Sequence, residues 1–203
     1  MDRSIIDKAV KTLKNGGVLV FPTETVYGIG CGVFVRQSIR RVLAIKKRKT
    51  DKPLPVLISD TDQLAGLVKG SPAMAASLIK AFWPGPLTVI FEAGEAVPEE
   101  VTAGTGTVGV RMPDHPLCLE IIKEYGHPVI APSANISGQE PPASFMKIEP
   151  AVIEEADMAM DDGVCRYGIP STVVDATGRE LVIVREGAIT ITELQTAVPA
   201  VIK

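Results

Sequence analysis

The sequence predicts an α/β fold with a mixed sheet, and two features predict it. Short apolar runs rich in β-branched residues, such as Val18-Leu19-Val20-Phe21, alternate with longer segments whose apolar residues recur at helical spacing. Gly- and Pro-rich joints separate the two kinds of segment, and no repeat or low-complexity tract interrupts them. With 203 residues, 46% of them hydrophobic, the chain can bury a sizeable core, and a single domain over 1–203 is expected.

Taken in order, Ser4 followed by Asp7 resembles a capping box, and Ile5, Ile6, Ala9, Val10 and Leu13 predict an amphipathic helix that Gly16-Gly17 ends. Val18–Phe21 reads as a strand buried on both faces and stopped by Pro22, with Thr23–Gly28 a polar loop at its carboxyl end. From Gln37 to Lys47 helical spacing returns, with Ile39, Val42, Leu43 and Ala44 inward, and Pro55–Ser59 is the next strand. Helical stretches are expected over Asp60–Val68 and Pro72–Phe82, and the turn Trp83-Pro84-Gly85-Pro86 feeds a strand, Leu87–Phe91. Strands at Val108–Arg111 and Val129–Ala131 flank a helix at Pro116–Tyr125. Ser171–Asp175 and Leu181–Arg185 form a hairpin-like pair around Gly178.

The formal net charge of -3 gives no global basic field to gather nucleic acid or anionic membrane, so anion binding must come from local clusters. Cys31, Cys118 and Cys165 are widely spaced and contain no C-x-x-C pair, which argues against a disulfide framework and a zinc site; no metal ligands are expected. The first eight residues scatter charges where a signal peptide needs an apolar run, and no apolar stretch is long enough to span a bilayer. A cytoplasmic protein with reduced, buried thiols and no membrane partner is expected.

Gly104-Thr105-Gly106-Thr107-Val108-Gly109 matches G-x-G-x-x-G by letter. The dinucleotide fingerprint needs a strand before it and a helix after it, and here the order is reversed, so no nucleotide fold is assigned on it. Five of the seven residues from Lys46 to Lys52 are basic. Lysines and arginines complement a helix C-terminus by roughly 0.3–1 kcal/mol each, yet their mutual repulsion limits that explanation, and an anionic ligand would relieve it. Ser133-Ala134-Asn135-Ile136-Ser137-Gly138 follows a predicted buried strand, so its hydroxyls, amide and backbone NH groups should emerge at a carboxyl end, where open α/β sheets place ligands; an ordinary Ser/Asn turn is the alternative. With only His115 and His127 in the chain, neither near Ser133, triad chemistry has little material, and both histidines read as surface or capping residues. Arg111 lies in an apolar strand run and needs a carboxylate or phosphate partner, either a structural acid or a ligand; Arg185, at the end of another, poses the same question.

Read in order, Phe21-Pro22-Thr23-Glu24-Thr25-Val26-Tyr27-Gly28, Lys46-x-Arg48, Lys52-Pro53-Leu54, Trp83-Pro84-Gly85-Pro86-Leu87-Thr88, Val110-Arg111-Met112-Pro113, Ala131–Gly138 and Ser171–Asp175 resemble the YrdC-like family over almost the whole chain. The resemblance implies a twisted open mixed sheet flanked by helices, of the YrdC/RibB-like kind, around a large concave and locally positive cavity. It also implies an activity: threonylcarbamoyl-AMP synthesis from L-threonine, bicarbonate or CO2 and ATP, with magnesium and release of pyrophosphate. That is the first step of tRNA threonylcarbamoyladenosine formation, whose later steps belong to downstream transfer enzymes.

By matching position, the resemblance assigns Lys46 and Arg48 to catalysis. It places Arg48, Lys52, Thr107, Ser133, Asn135 and Arg185 on ATP, and Thr25, Arg111 and Ser171 on threonine. A threonine carboxylate suits a bidentate guanidinium, and charge building on the α-phosphate and departing pyrophosphate needs fixed cations. The sequence departs from the family pattern at Glu140-Pro141-Pro142-Ala143, where a small hydroxyl residue is common and Ser144 is the nearest substitute, and at Leu57, where some members place a polar residue. The chain resembles the short, single-domain form. Two other functions are open to such a cavity: weak binding of tRNA or another RNA, which 4% aromatic content and an acidic net charge disfavour, and the handling of carbamoyl-adenylate.

Overall fold

The computed structural model describes residues 3–70 and 73–202. Helix α1 (Arg3–Lys14) buries Ile6, Ala9, Val10 and Leu13 and ends at Gly16, whose φ of 73° closes the turn. Strands β1 (Leu19–Phe21) and β2 (Gly28–Gly30) enclose the Thr23–Tyr27 loop. Helix α2 (Arg36–Ile45) and strand β3 (Val56–Leu57) follow, then 3-10 turns at Thr61–Gly66 and Ala73–Ala75 and helix α3 (Ala76–Phe82). The chain continues through β4 (Leu87–Glu92), α4 (Glu99–Thr102), β5 (Thr107–Arg111), α5 (Pro116–Tyr125) and β6 (Val129–Ile130). It closes with α6 (Pro150–Glu155), β7 (Met158–Ala159), β8 (Thr172–Asp175), β9 (Leu181–Arg185), α7 (Ile191–Ala197) and β10 (Val201–Ile202).

The described strands form a 7-stranded sheet, in the order β10-β9-β8-β4-β5-β3-β6, and a 3-stranded sheet, β2-β1-β7. Pairings in the larger sheet are mixed: β3 with β5 and β4 with β8 run parallel, whereas β4 with β5 and β8 with β9 run antiparallel. The small sheet is tied to the large one along residues 27–33, which run against 129–134: Ile29 N–H donates to Pro132 O, Ala134 N–H to Tyr27 O and Ile130 N–H to Cys31 O. Gly30 makes this approach possible, because a Cβ there would lie 1.8 Å from the Ile130 carbonyl oxygen. The result sets Ser133 opposite Gly28, beside the Thr23–Tyr27 loop.

Several local expectations are corrected. Helix α1 already includes Ser4, so the Ser4/Asp7 capping box is not its start; Asp7 instead pairs with Arg3 at 3.0 Å. Ala44 faces outward, and Ile45 and Lys46 are the buried positions at the end of α2. Asp60–Val68 is not an α-helix but a 3-10 segment, Thr61–Gly66, started by the Asp60 side chain accepting from Asp62 N–H. The helix read from Pro72 begins, among described residues, with the 3-10 turn at Ala73; Pro72 itself lies outside them. His115 precedes α5 without capping it through its side chain, and its imidazole faces Asp162 at 3.3 Å. The three cysteines are buried and free. The G-x-G-x-x-G segment runs from helix to strand, α4 to β5, as its flanks predicted.

Candidate active site

A cavity of about 510 Å3 opens on one face of the larger sheet, a volume in the range of roughly 300–1,000 Å3 usual for small-molecule sites. Leu57, Thr88, Ile90, Thr107, Gly109, Arg111, Val173, Val184 and Arg185 from five strands form its floor. Its rim comes from loops that carry Thr25 and Val26, Arg48, Lys52 to Pro55, Ala131 to Ser133, Pro141, and Pro170 with Ser171. Eight residues named from the sequence, Thr25, Arg48, Lys52, Thr107, Arg111, Ser133, Ser171 and Arg185, therefore face one hollow. Lys46, Asn135 and Ser144 are not among its lining residues.

Lys46 is buried, 1% exposed, and sits behind the cavity wall. Its ammonium donates to Asn135 O at 2.7 Å and to Ser133 O, while its own carbonyl accepts from Ser137 N–H at 2.8 Å. The loop after β6 is thus fastened to the end of α2 by both the side chain and the main chain of one residue. Asn135 completes the loop: its Nδ2 donates to Ile136 O and Gln139 O, and its Oδ1 accepts from Ser133 Oγ. Burial, with a smaller contribution from Arg48, lowers the Lys46 pKa to about 8.

Arg48 is turned into the cavity by the way α2 ends. Lys47 takes a φ of 48°, its N–H bonds Ala44 O, and Arg48 N–H bonds Leu43 O, which together form a Schellman motif. Arg48 Nη2 donates to Pro53 O at 3.0 Å, and its Nε is buried without a partner. Burial lowers the pKa of Arg48, opposed by Asp51, and that of Arg185, helped by Arg111. An anionic ligand would offset that penalty.

Elsewhere in the lining, Arg185 Nη2 donates to Ser171 O at 2.8 Å, and Ser171 Oγ shares a hydrogen bond with Thr88 Oγ1 at 2.8 Å. Arg111 Nη1 donates to Thr25 Oγ1 at 2.8 Å, and Nη2 to Glu24, which is 2% exposed. Glu24 is the acid that the buried arginine required. Neither it nor Thr88 stood out in the sequence as a site residue, although Glu24 lies between two residues of a polar loop that was itself singled out.

The charged lining consists of Arg48, Lys52, Arg111 and Arg185 and contains no Asp or Glu. Hydroxyls of Thr25, Thr88, Thr107, Ser133 and Ser171 stand among these cations. Such a surface can hold a polyphosphate and a carboxylate together, which defines a class of site for small anionic ligands.

Comparison with known proteins agrees with that class. The family Sua5_yciO_yrdC, described as Telomere recombination, matches residues 11–187, and the chain belongs to this family. It is 38% identical over 186 residues to a threonylcarbamoyl-AMP synthase of Pyrococcus abyssi, covering 92% of this chain and 55% of that one. It is 38% identical over 194 residues to a threonylcarbamoyl-AMP synthase of Bacillus subtilis, covering 95% and 56%. The chain thus spans about half the length of these curated relatives. The crystal structure of P. abyssi Sua5 complexed with L-threonine superposes with a TM-score of 0.93 at 36% identity, covering 100% of this chain and 60% of that one.

Proposed function

We propose that this protein makes L-threonylcarbamoyl-AMP from L-threonine, bicarbonate or CO2 and ATP, with release of pyrophosphate. The observation that carries the reading is the single cavity onto which Arg48, Lys52 and Ser133 converge with Thr25, Arg111 and Ser171. Relatives named threonylcarbamoyl-AMP synthase and a related Sua5 structure holding L-threonine support it.

In this reading Arg48, Lys52, Thr107, Ser133 and Arg185 hold the nucleotide, and Thr25, Arg111 and Ser171 hold threonine. Lys46 and Asn135 act from behind the wall by shaping the loop that presents Ser133. The threonine amine, once deprotonated, captures CO2, and a carbamate oxygen attacks the α-phosphorus in line as pyrophosphate leaves. Catalysis is positioning of the two substrates plus cationic stabilisation of charge on the phosphates. The cavity lining has no carboxylate and, among the described residues, no group of three or more His, Cys, Asp or Glu could hold a metal, so magnesium would be held by the nucleotide's phosphates and would add to the positive charge that Arg48 and Lys52 supply there. The product would pass to the enzymes that transfer threonylcarbamoyl to tRNA, with any direct tRNA contact weak.

Among the described residues no helix is long and apolar enough to cross a membrane. A cytoplasmic site for the reaction is part of this reading, supported by three unpaired buried thiols, which suit a reducing compartment. Incubation with ATP, bicarbonate and labelled threonine tests the reading. A threonine-containing adenylate should form with pyrophosphate in equal amount, and pyrophosphate release that ignores threonine contradicts it.

A further inference from the structure

An amino acid brings an ammonium as well as a carboxylate, and this cavity is poorly furnished for the first. Its four charged lining residues are all cations. Among the described residues, only one of the four, Arg111, forms an ion pair with a carboxylate, and that carboxylate is Glu24. The Glu24 side chain is 2% exposed and that of Arg111 8%, so water screens the pair little. Glu24 Oε1 and Arg111 Nε are both buried without hydrogen-bond partners, so the pair is not held by a saturated network. Desolvation offsets much of the Coulombic gain of a buried ion pair, so stability alone does not account for this one.

Directions of the hydrogen bonds add a second observation. Thr23 Oγ1 donates to Val26 O at 2.7 Å, so its bond with Thr25 Oγ1 at 2.9 Å must be donated by Thr25. Thr25 Oγ1 also accepts from Arg111 Nη1. Its hydrogen is therefore committed, and what the Thr25 hydroxyl has left to offer the cavity is an acceptor lone pair. Without Glu24, the Arg111 guanidinium would stand unpaired beside the amino acid and would repel an ammonium.

We propose that Glu24 is a specificity-determining residue which, by pairing with Arg111 and fixing Thr25 as an acceptor, makes the amino-acid end of the cavity select a carboxylate that carries its own ammonium. The inference rests on the placement of threonine at Thr25, Arg111 and Ser171. Glu24 acts through Arg111 and Thr25 and touches no reacting atom. Its negative field lowers the energy of the ammonium, while the guanidinium remains free to meet the carboxylate through donors Glu24 does not use.

Calorimetric titration of L-threonine and of 3-hydroxybutanoate, which keeps the carboxylate and hydroxyl but lacks the amine, tests this in the wild type, E24Q and E24D. The wild type should bind threonine at least tenfold more tightly than 3-hydroxybutanoate. E24Q should shift that ratio at least tenfold towards 3-hydroxybutanoate, and E24D should restore most of it. A folded E24Q that weakens both ligands equally, leaving the ratio unchanged, overturns the proposal. Should E24Q fail to fold, the wild type decides with E24D: equal affinity for the two ligands in either overturns it. A wild type that binds no threonine overturns the placement on which the inference rests, a result distinct from an unchanged ratio.

Discussion

Lys46 shows how a residue type can be legible while its role is not. In the sequence it belongs to a basic cluster, and the family resemblance assigns it to catalysis. In the fold it is buried and spends its ammonium on the carbonyls of Ser133 and Asn135, shaping the loop that Ser133 presents. No local signal could separate it from Lys47 or Lys49, because the distinction depends on a loop far along the chain. Its chemistry has a measurable consequence. Burial lowers Lys46 from an ordinary 10.5 to about 8, so between those values the folded chain binds fewer protons than the unfolded one, and stability rises with pH across that window. Lys46→Met removes the titrating group and leaves two carbonyls without a charged donor, a loss of roughly 1–3 kcal/mol near neutral pH. Denaturant titrations at pH 7.5 and 9.5 should show the wild type gaining on K46M as pH rises; parallel pH dependences contradict this account. Arg111 was the opposite case. Its burial in an apolar run announced the need for an acid, but which acid was invisible until the Thr23–Tyr27 loop was seen to fold against β5.

At the scale of elements, long periodic segments were legible and short paired ones were not. The helix read at Pro116–Tyr125 is present with those bounds, and Leu181–Arg185 is a strand antiparallel to Thr172–Asp175. Five residues read as a strand at Pro55–Ser59 contribute only Val56–Leu57, and β2, α4, α6, β7, α7 and β10 went unread. Met158–Ala159 has no β-branched or alternating signature; it is a strand because β1 pairs with it in parallel. The end of α2 is the element on which the site depends most. Its Schellman turn places Lys47 at φ 48°, in the left-handed region that disfavours a side chain by roughly 1–2 kcal/mol. Lys47 is exposed and does not line the cavity. Lys47→Gly should therefore raise stability by up to about 1 kcal/mol, after its greater unfolded-state freedom is subtracted, and leave adenylate formation unchanged. A fall in thermal midpoint would show that Lys47 has a contact the turn geometry does not explain.

For the molecule as a whole, the sequence made the mixed α/β sheet and the list of cationic and hydroxyl residues readable, because each lies at the end of a recognisable element. What joins them was not readable. The convergence depends on residues 27–33 running against 129–134, on the close approach at Gly30, and on Lys46 behind the wall. These contacts bring the end of α2 and the loop after β6 to one rim, over a floor built by the strands of the larger sheet. The central claim is that the end of α2 and the loop after β6 hold the same nucleotide. Titration of a non-hydrolysable ATP analogue into the wild type, R48A and S133A tests it most directly. Arg48→Ala should weaken binding at least a hundredfold by removing a charged donor, and Ser133→Ala by about tenfold, for roughly 2.7 and 1.4 kcal/mol respectively. Unchanged affinity in either variant, with the protein folded, would contradict a shared nucleotide site.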